Sequence, residues 1–193
     1  NGANTNISAN TEGEYEIQTI VTDAVGNVSE IIDTNTMTFF WDIAKPSINS
    51  INAPIANAVY KDTLTLDFIA SDPTPGTDLT YTYEINSPTL TGSGAYNGSS
   101  VEINISSLDG RHTLSLAVTD EAGNVSVEET IEFVADNNNT LTVGSESEDF
   151  TSIQEAIDKS TVGDTINISS GTYNESVLIN KSLTLLGSGM NKP

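Results

Sequence analysis

The residues of this chain best placed to do chemistry are its carboxylates. Twenty-seven Asp and Glu stand against six basic residues, Lys45, Lys61, Arg111, Lys159, Lys181 and Lys192, for a formal charge of −21. Such a set could perform acid–base work through paired carboxyls, or hold a hard divalent cation with its oxygens. Acid–base work needs two carboxyls facing each other across a cleft. Glu128 and Glu129 are adjacent and point to opposite faces of a strand, while Glu146, Glu148 and Asp149 fall in a loop; both groups are expected to be solvated. The sole histidine, His112, lacks a Ser/Asp arrangement around it, and the chain has no cysteine, so neither a nucleophilic triad nor a thiolate metal site is indicated. The Gly171 and Gly187 loops carry no phosphate-binding pattern. Cation binding is left, with Asp42, Asp72, Asp78 and Asp120 as candidate ligands and Asp23 and Asp136 beside them; the case depends on the elements that must bring them together.

Charge also narrows the partners. Nucleic acid binding requires clustered Lys and Arg, and the same deficit disfavours anionic lipid. No apolar run reaches membrane-spanning length, so neither nucleic acid nor direct membrane insertion is expected. With 36% hydrophobic residues the chain has enough apolar material for real cores. It begins at Asn1 without an initiator Met or a signal-like segment, and reads as an internal or processed piece of a longer protein. Abundant Asn, Ser and Thr with scarce Lys suit an extracellular, cell-surface or secreted β-protein. Asn-x-Ser/Thr triplets such as Asn104 to Ser106 and Asn167 to Ser169 arise by chance in this composition.

An internal repeat organises the first two thirds. The segment Gly13 to Ser29 recurs as Gly110 to Ser126 at a constant offset of 97 residues. Each copy alternates along a strand (Tyr15, Ile17, Thr19, Val21; His112, Leu114, Leu116, Val118), then reaches an Asp-x-x-Gly-Asn turn and a returning strand. Period and turn residues both predict a β-hairpin. His112 occupies the position of Tyr15, where a polar aromatic is expected to serve as a satisfied corner residue. Between the copies, short strands are expected at 47–52, 64–70, 79–86, 89–96 and 101–106, separated by turn signals such as Asp72 to Gly76 and Asn97-Gly98. With 111–119 and 125–134 they make about seven strands in roughly 90 residues, the size of an immunoglobulin-like sandwich. The expected divisions are 1–43 as the end of one module, closed by Phe39, Phe40 and Trp41 in a core or inter-module role, and 44–136 as a complete one. The returning strand of the first copy is about three residues longer than that of the second, counting Asn27 to Asp42 against Asn124 to Asp136, which predicts a bulge.

The run Asp109 to Ser126, with the linker Asp42-Ile43-Ala44-Lys45-Pro46, resembles the bacterial Ig-like repeats of large surface adhesins. In a sandwich of this topology the linker, the loop between the second and third strands, and the last hairpin turn gather at one end. That places Asp42 near Asp120 and within reach of Asp72 and Asp78, a set suited to structural calcium, with Asp23 and Asp136 at the flanking junctions. The alternative is that Asp23 and Asp120 only stabilise their turns by accepting backbone N–H bonds.

Residues 137–193 change character. Phe150, Ile153, Ala156 and Ile157 share one face of a helix over 151–159, with Thr151 or Ser152 as cap and Gln154 or Glu155 completing a capping box. Apolar pairs follow at Ile166 and Ile168, Val177 and Ile179, and Leu183 and Leu185, read as three strands of one solenoid coil plugged by the helix. The words Gly163-Asp164-Thr165-Ile166, Gly171-Thr172-Tyr173-Asn174-Glu175 and Ile179 to Gly187 are similar to the N-terminal cap and first coil of right-handed parallel β-helix proteins of the pectin-lyase-like class. The fold expected is therefore all-β: Ig-like sandwiches followed by the start of a parallel β-helix with one helix. The function expected is that of an extracellular structural or adhesive module, a non-catalytic stalk or spacer whose partners are neighbouring modules of the same polypeptide and glycans. The alternative is an accessory region of a β-helix polysaccharide lyase or hydrolase whose catalytic residues lie beyond residue 193.

Overall fold

In the computed structural model, residues 9–29, 36–86 and 90–188 are described. The first repeat forms a two-stranded antiparallel sheet: β1 (Gly13–Gln18) pairs with β2 (Thr36–Trp41), Tyr15 opposite Phe39. Their rings stack at 5.8 Å and Trp41 meets Phe39 edge-on at 6.4 Å, so one face of the hairpin is aromatic. The bulge expected between Asn27 and Asp42 falls partly at 30–35, outside the described residues.

The next elements are β3 (Ser47–Ala53), β4 (Val59–Tyr60), β5 (Thr63–Ser71), β6 (Thr80–Ile85), β7 (Leu90–Ala95), β8 (Val101–Asn104), β9 (Gly110–Thr119) and β10 (Glu129–Ala135). They build a sandwich from a five-stranded sheet, β4-β10-β9-β6-β7, and a three-stranded sheet, β3-β5-β8. The period of two decides what meets in the middle. Leu64, Leu66, Phe68 and Ala70 point inward from β5, and Leu114, Leu116 and Val118 from β9, closing on Ile85, Ile103 and Phe133. Each fully buried side chain of this kind contributes about 1.5–3 kcal/mol. One strand more than the expected seven is present: β4, two residues long and parallel to β10, is too short to show a periodicity.

Beyond Asp136 the chain forms β11 (Thr140–Val143), α1 (Ile153–Lys159), β12 (Thr165–Ile168) and β13 (Thr184–Gly187). The three strands are parallel and in register, Leu141, Ile166 and Leu185 in line. Ser152 caps α1, its hydroxyl accepting from Glu155 N at 3.3 Å. Phe150, Ala156 and Ile157 are buried on Leu141, Val143 and Ile166, and the sandwich's Val134 joins them. Two expectations are corrected here. Val177 and Ile179 are exposed and form no strand, since among the described residues no strand pairs with them. Ile166 and Leu185, read as belonging to one coil, are instead paired on neighbouring parallel strands, with Thr165 opposite Thr184. Among the described residues no helix is long and apolar enough to cross a membrane.

Candidate functional site

The linker before the sandwich and the turn at its end meet, and the repeated motif explains how. In the turn Asp120 to Asn124, Asp120 N donates to Asn124 O at 3.1 Å and Gly123, at φ 92°, donates to Asp120 O at 3.2 Å. Asp120 Oδ1 accepts from Asn124 N and its Oδ2 from Asn124 Nδ2, both at 2.8 Å. The first copy repeats these contacts: Asp23 Oδ1 accepts from Asn27 N at 2.9 Å and Asp23 Oδ2 from Asn27 Nδ2 at 2.7 Å. Those bonds, from the Asn27 side chain first and then its backbone, hold the exposed Asp23 carboxyl below its ordinary range. The conserved-in-repeat serine acts alike in both, Ser29 Oγ accepting from Val21 N and Ser126 Oγ from Val118 N at 3.0 Å. Asp, Gly, Asn and Ser of the motif thus each have a local structural task.

Asn124 does one thing more. Its Nδ2 also donates to the carbonyl of Asp42 at 3.3 Å, tying the linker to the turn of the following sandwich. Asp42 in turn accepts from Ala44 N at 3.0 Å and so bends the linker into buried Pro46. Phe40, Asp42, Thr74, Gly76, Thr77 and Glu121 line an open cleft of about 470 Å³ at this junction. The linker, the 72–78 loop and the last turn therefore do converge at one end. Asp72 Oδ1 accepts from Thr74 N at 2.7 Å, but Asp72 Oδ2, Thr74 Oγ1 and Trp41 Nε1 are buried without a partner among the described residues. Asp78 is exposed in the same loop. Both Asp120 oxygens are engaged by Asn124, and among the described residues no three His, Asp or Glu side chains close on a common metal position.

Asp136 sits at the opposite end, buried, accepting from Thr140 N at 2.8 Å. Burial first and the nearby Asp164 second raise its carboxyl above the usual range. Asp149 was expected in solvent, yet it is buried, its Oδ2 accepting from Thr142 N at 2.8 Å and Thr142 Oγ1 at 2.9 Å. Closing the 144–149 loop onto β11 removes it from water. Arg111 clasps the same loop, donating to Glu148 O at 3.2 Å and Asp149 O at 2.6 Å while pairing with Glu132 at 2.8 Å. Sequence reasoning missed this clasp; its one signal was a lone cation at the start of a long strand in an acidic chain. His112 is buried, its ring nitrogens 3.0 Å from Asn86 O and 3.1 Å from Asp109 O, and Tyr15 matches it by donating to Thr11 O at 2.7 Å. Both are corner residues. Glu128, Glu129 and Glu146 are exposed.

The bacterial Ig-like domain family matches residues 79–137. Over 156 residues, 80% of this chain, the sequence is 28% identical to halomucin of Haloquadratum walsbyi, and the matched stretch is 2% of that protein's length. Among solved structures the chain is similar to the fibronectin(III)-like modules of Clostridium thermocellum CbhA, at 18% identity and a TM-score of 0.44, covering 67% of this chain and 66% of that one.

Proposed function

We propose that this chain is a non-catalytic spacer of a long extracellular protein, in which Ig-like sandwiches are coupled end to end and lead into a parallel β-helix. The observation that carries the reading is the bond from Asn124 to the Asp42 carbonyl: the turn that closes one module also grips the linker from the module before it. The same turn, with the same Asp–Asn bonds, recurs at Asp23 to Asn27. The in-register parallel stack of β11, β12 and β13, capped by α1, supports a β-helix beginning at 137–193. The similarity to a far longer protein and the −21 charge support a secreted or surface location.

The test is the orientation of the two modules in solution, read from small-angle scattering and inter-module residual dipolar couplings of the full chain. Asn124→Ala should broaden the inter-module distribution while the sandwich melts within a few degrees of the parent. Equal orientational order in parent and variant would remove the coupling and the spacer reading with it. Calcium is proposed at the same junction, held by Asp72 and Asp42 with Asp78 near, and supported by the unpartnered Asp72 Oδ2 and Thr74 Oγ1; Asp120, Asp23 and Asp136 would act through the turns they hold. Calorimetric titration of the full chain with calcium should give heat that Asp72→Asn abolishes, and no heat in the parent would end the calcium proposal.

A further inference from the structure

The connection from β7 to β8 carries the chain from the five-stranded sheet to the three-stranded one, and it bends at Asn97 and Gly98. Among the described residues Asn97 is the only asparagine followed by glycine. Both residues are exposed, and Gly98 takes φ 76°, in the left-handed region that glycine enters without strain. Beyond its chain neighbours nothing lies within 4 Å of where a Cβ on Gly98 would stand, and its N–H has no partner among the described residues. The Asn97 side chain folds back over this bare peptide. Its Oδ1 accepts from Ser99 N at 2.9 Å, while its Nδ2 is free among the described residues. A bond from a side-chain oxygen to the N–H two residues on closes an Asx turn, and the turn brings Cγ round toward the intervening nitrogen, Gly98 N.

We infer that Asn97 is a site of spontaneous deamidation, passing through a cyclic imide to aspartate and isoaspartate. Gly98 N gives its proton to solvent base and bonds to Asn97 Cγ. The Cγ–Nδ2 bond then breaks, and Nδ2 leaves as ammonia with a proton taken from water. Ser99 N already donates to the oxygen on which negative charge builds during the attack, so it stabilises the tetrahedral intermediate. Water opens the five-membered imide at either carbonyl. One opening leaves an aspartyl residue in the original main chain; the other routes the main chain through the side-chain carbons and lengthens it by one atom. Both add one negative charge at the crossover between the sheets. The inference does not depend on where the chain resides.

The fold denies the same reaction to the nearest competitors. Asp109-Gly110 is the one Asp-Gly pair, and an aspartate can close the same ring with loss of water. Gly110, however, lies on β9 opposite Ala135, and the Asp109 carboxylate accepts from Asn138 while its carbonyl sits 3.1 Å from His112 Nε2. Asn27 and Asn124 donate Nδ2 to Asp23 and Asp120, and each precedes a β-branched valine. Asn104 precedes buried Ile105, whose N–H donates to Asp62 O at 2.8 Å. In every case either the group that must leave or the nitrogen that must attack is engaged.

The purified full chain should be incubated at neutral and at mildly alkaline pH and sampled over time, with peptide mass spectrometry for amide loss and enzymatic methylation for isoaspartate. Asn97 should lose its amide ahead of every other described asparagine, faster at the higher pH, and should yield both products. Gly98→Ala, which shields the nitrogen with a Cβ that meets no neighbour, should react several-fold more slowly. In urea, Asp109 should begin to form isoaspartate, because the contacts that hold it are gone. An intact Asn97 after another described asparagine has reacted overturns the site. Aspartate without isoaspartate would mean direct hydrolysis and overturns the imide, as does a Gly98→Ala chain that reacts at the parent's rate. Equal rates at Asp109 in the folded and the urea-unfolded chain overturn the selection by the fold.

Discussion

Glu175 Oε1 accepts the backbone N–H of Ile153 at 2.9 Å, while its Oε2 accepts from Gln154 N and from Ser152 Oγ, also at 2.9 Å. A carboxylate from 20-odd residues downstream therefore does what a capping box would do locally, and it ties the strandless 170–182 path to α1. The bonds from Gln154 and then Ile153 hold the Glu175 carboxyl below its ordinary range. A depressed carboxyl contributes stability that is present above the unfolded value, 4.5, and lost as pH falls through the folded one. Glu175→Gln should lower the protection of the α1 amides at pH 7 to the level that the parent shows in acid, each taken relative to the intrinsic exchange rate at its own pH. Unchanged exchange at Ile153 and Gln154 would show that the cap is dispensable.

Arg111 gives a second prediction. Its guanidinium meets two carbonyls of the 144–149 loop and one carboxylate of β10 at once. An ammonium cannot reproduce that planar fork. Arg111→Lys should loosen the loop and the β11 edge by about 2 kcal/mol, the scale of hydrogen bonds to a charged donor, and leave β5 to β8 unaffected. Uniform destabilisation of both clusters in residue-resolved exchange would contradict this local role.

The parts legible in the sequence were those with a period or a motif. Alternation at Leu64, Leu66 and Phe68 and at Leu114, Leu116 and Val118 points to the two faces of the core, and the constant offset between Asp23 and Asp120 anticipates two turns with the same bonds. The face shared by Phe150, Ala156 and Ile157 is likewise explicit. What could not be read depends on long-range closure. Asp149 looks like a loop acid until Thr142 and Arg111 are brought to it, Val59–Tyr60 has no pattern of its own, and Ile166 against Leu185 is a matter of register that residue types leave open. At the junction, the resemblance implied Asp42 near Asp120, but residue types carried no hint that Asn124 contacts both.

Gly92 makes a third test of the packing. A Cβ there would lie 2.4 Å from the ring of Tyr83 on the neighbouring strand, so the ring covers the glycine in place of a side chain. Gly92→Ala should cost about 1–3 kcal/mol, the range for overpacking. Combining it with Tyr83→Leu should recover part of the loss, giving a non-additive cycle. Strict additivity in chemical denaturation would mean the two positions do not meet.

The last prediction sets Asp149 and Asp136 against Glu175. Burial is the largest cause raising both aspartates, with Asp109 and Glu148 adding to it at Asp149, and Asp164 and Asp109 at Asp136. A carboxyl whose folded pKa is raised above the unfolded value, 3.8, is penalised in the fold while ionised. That penalty is full above the folded pKa and is relieved as pH falls through it toward 3.8. These two groups therefore favour the folded chain more in mild acid than at neutrality, until Glu175 begins to lose its bonds below about 4.5. General relief of repulsion in a chain of charge −21 acts in the same direction, so the readout is the difference between parent and variant. Asp149→Asn keeps an acceptor for Thr142 N without the buried charge. Urea unfolding at fixed ionic strength should show it more stable than the parent at pH 7, with the gap closing as pH approaches 4.5, and Asp136→Asn should behave alike through Thr140. A gap that stayed constant across that range would show that the buried carboxyls carry no pH-dependent penalty.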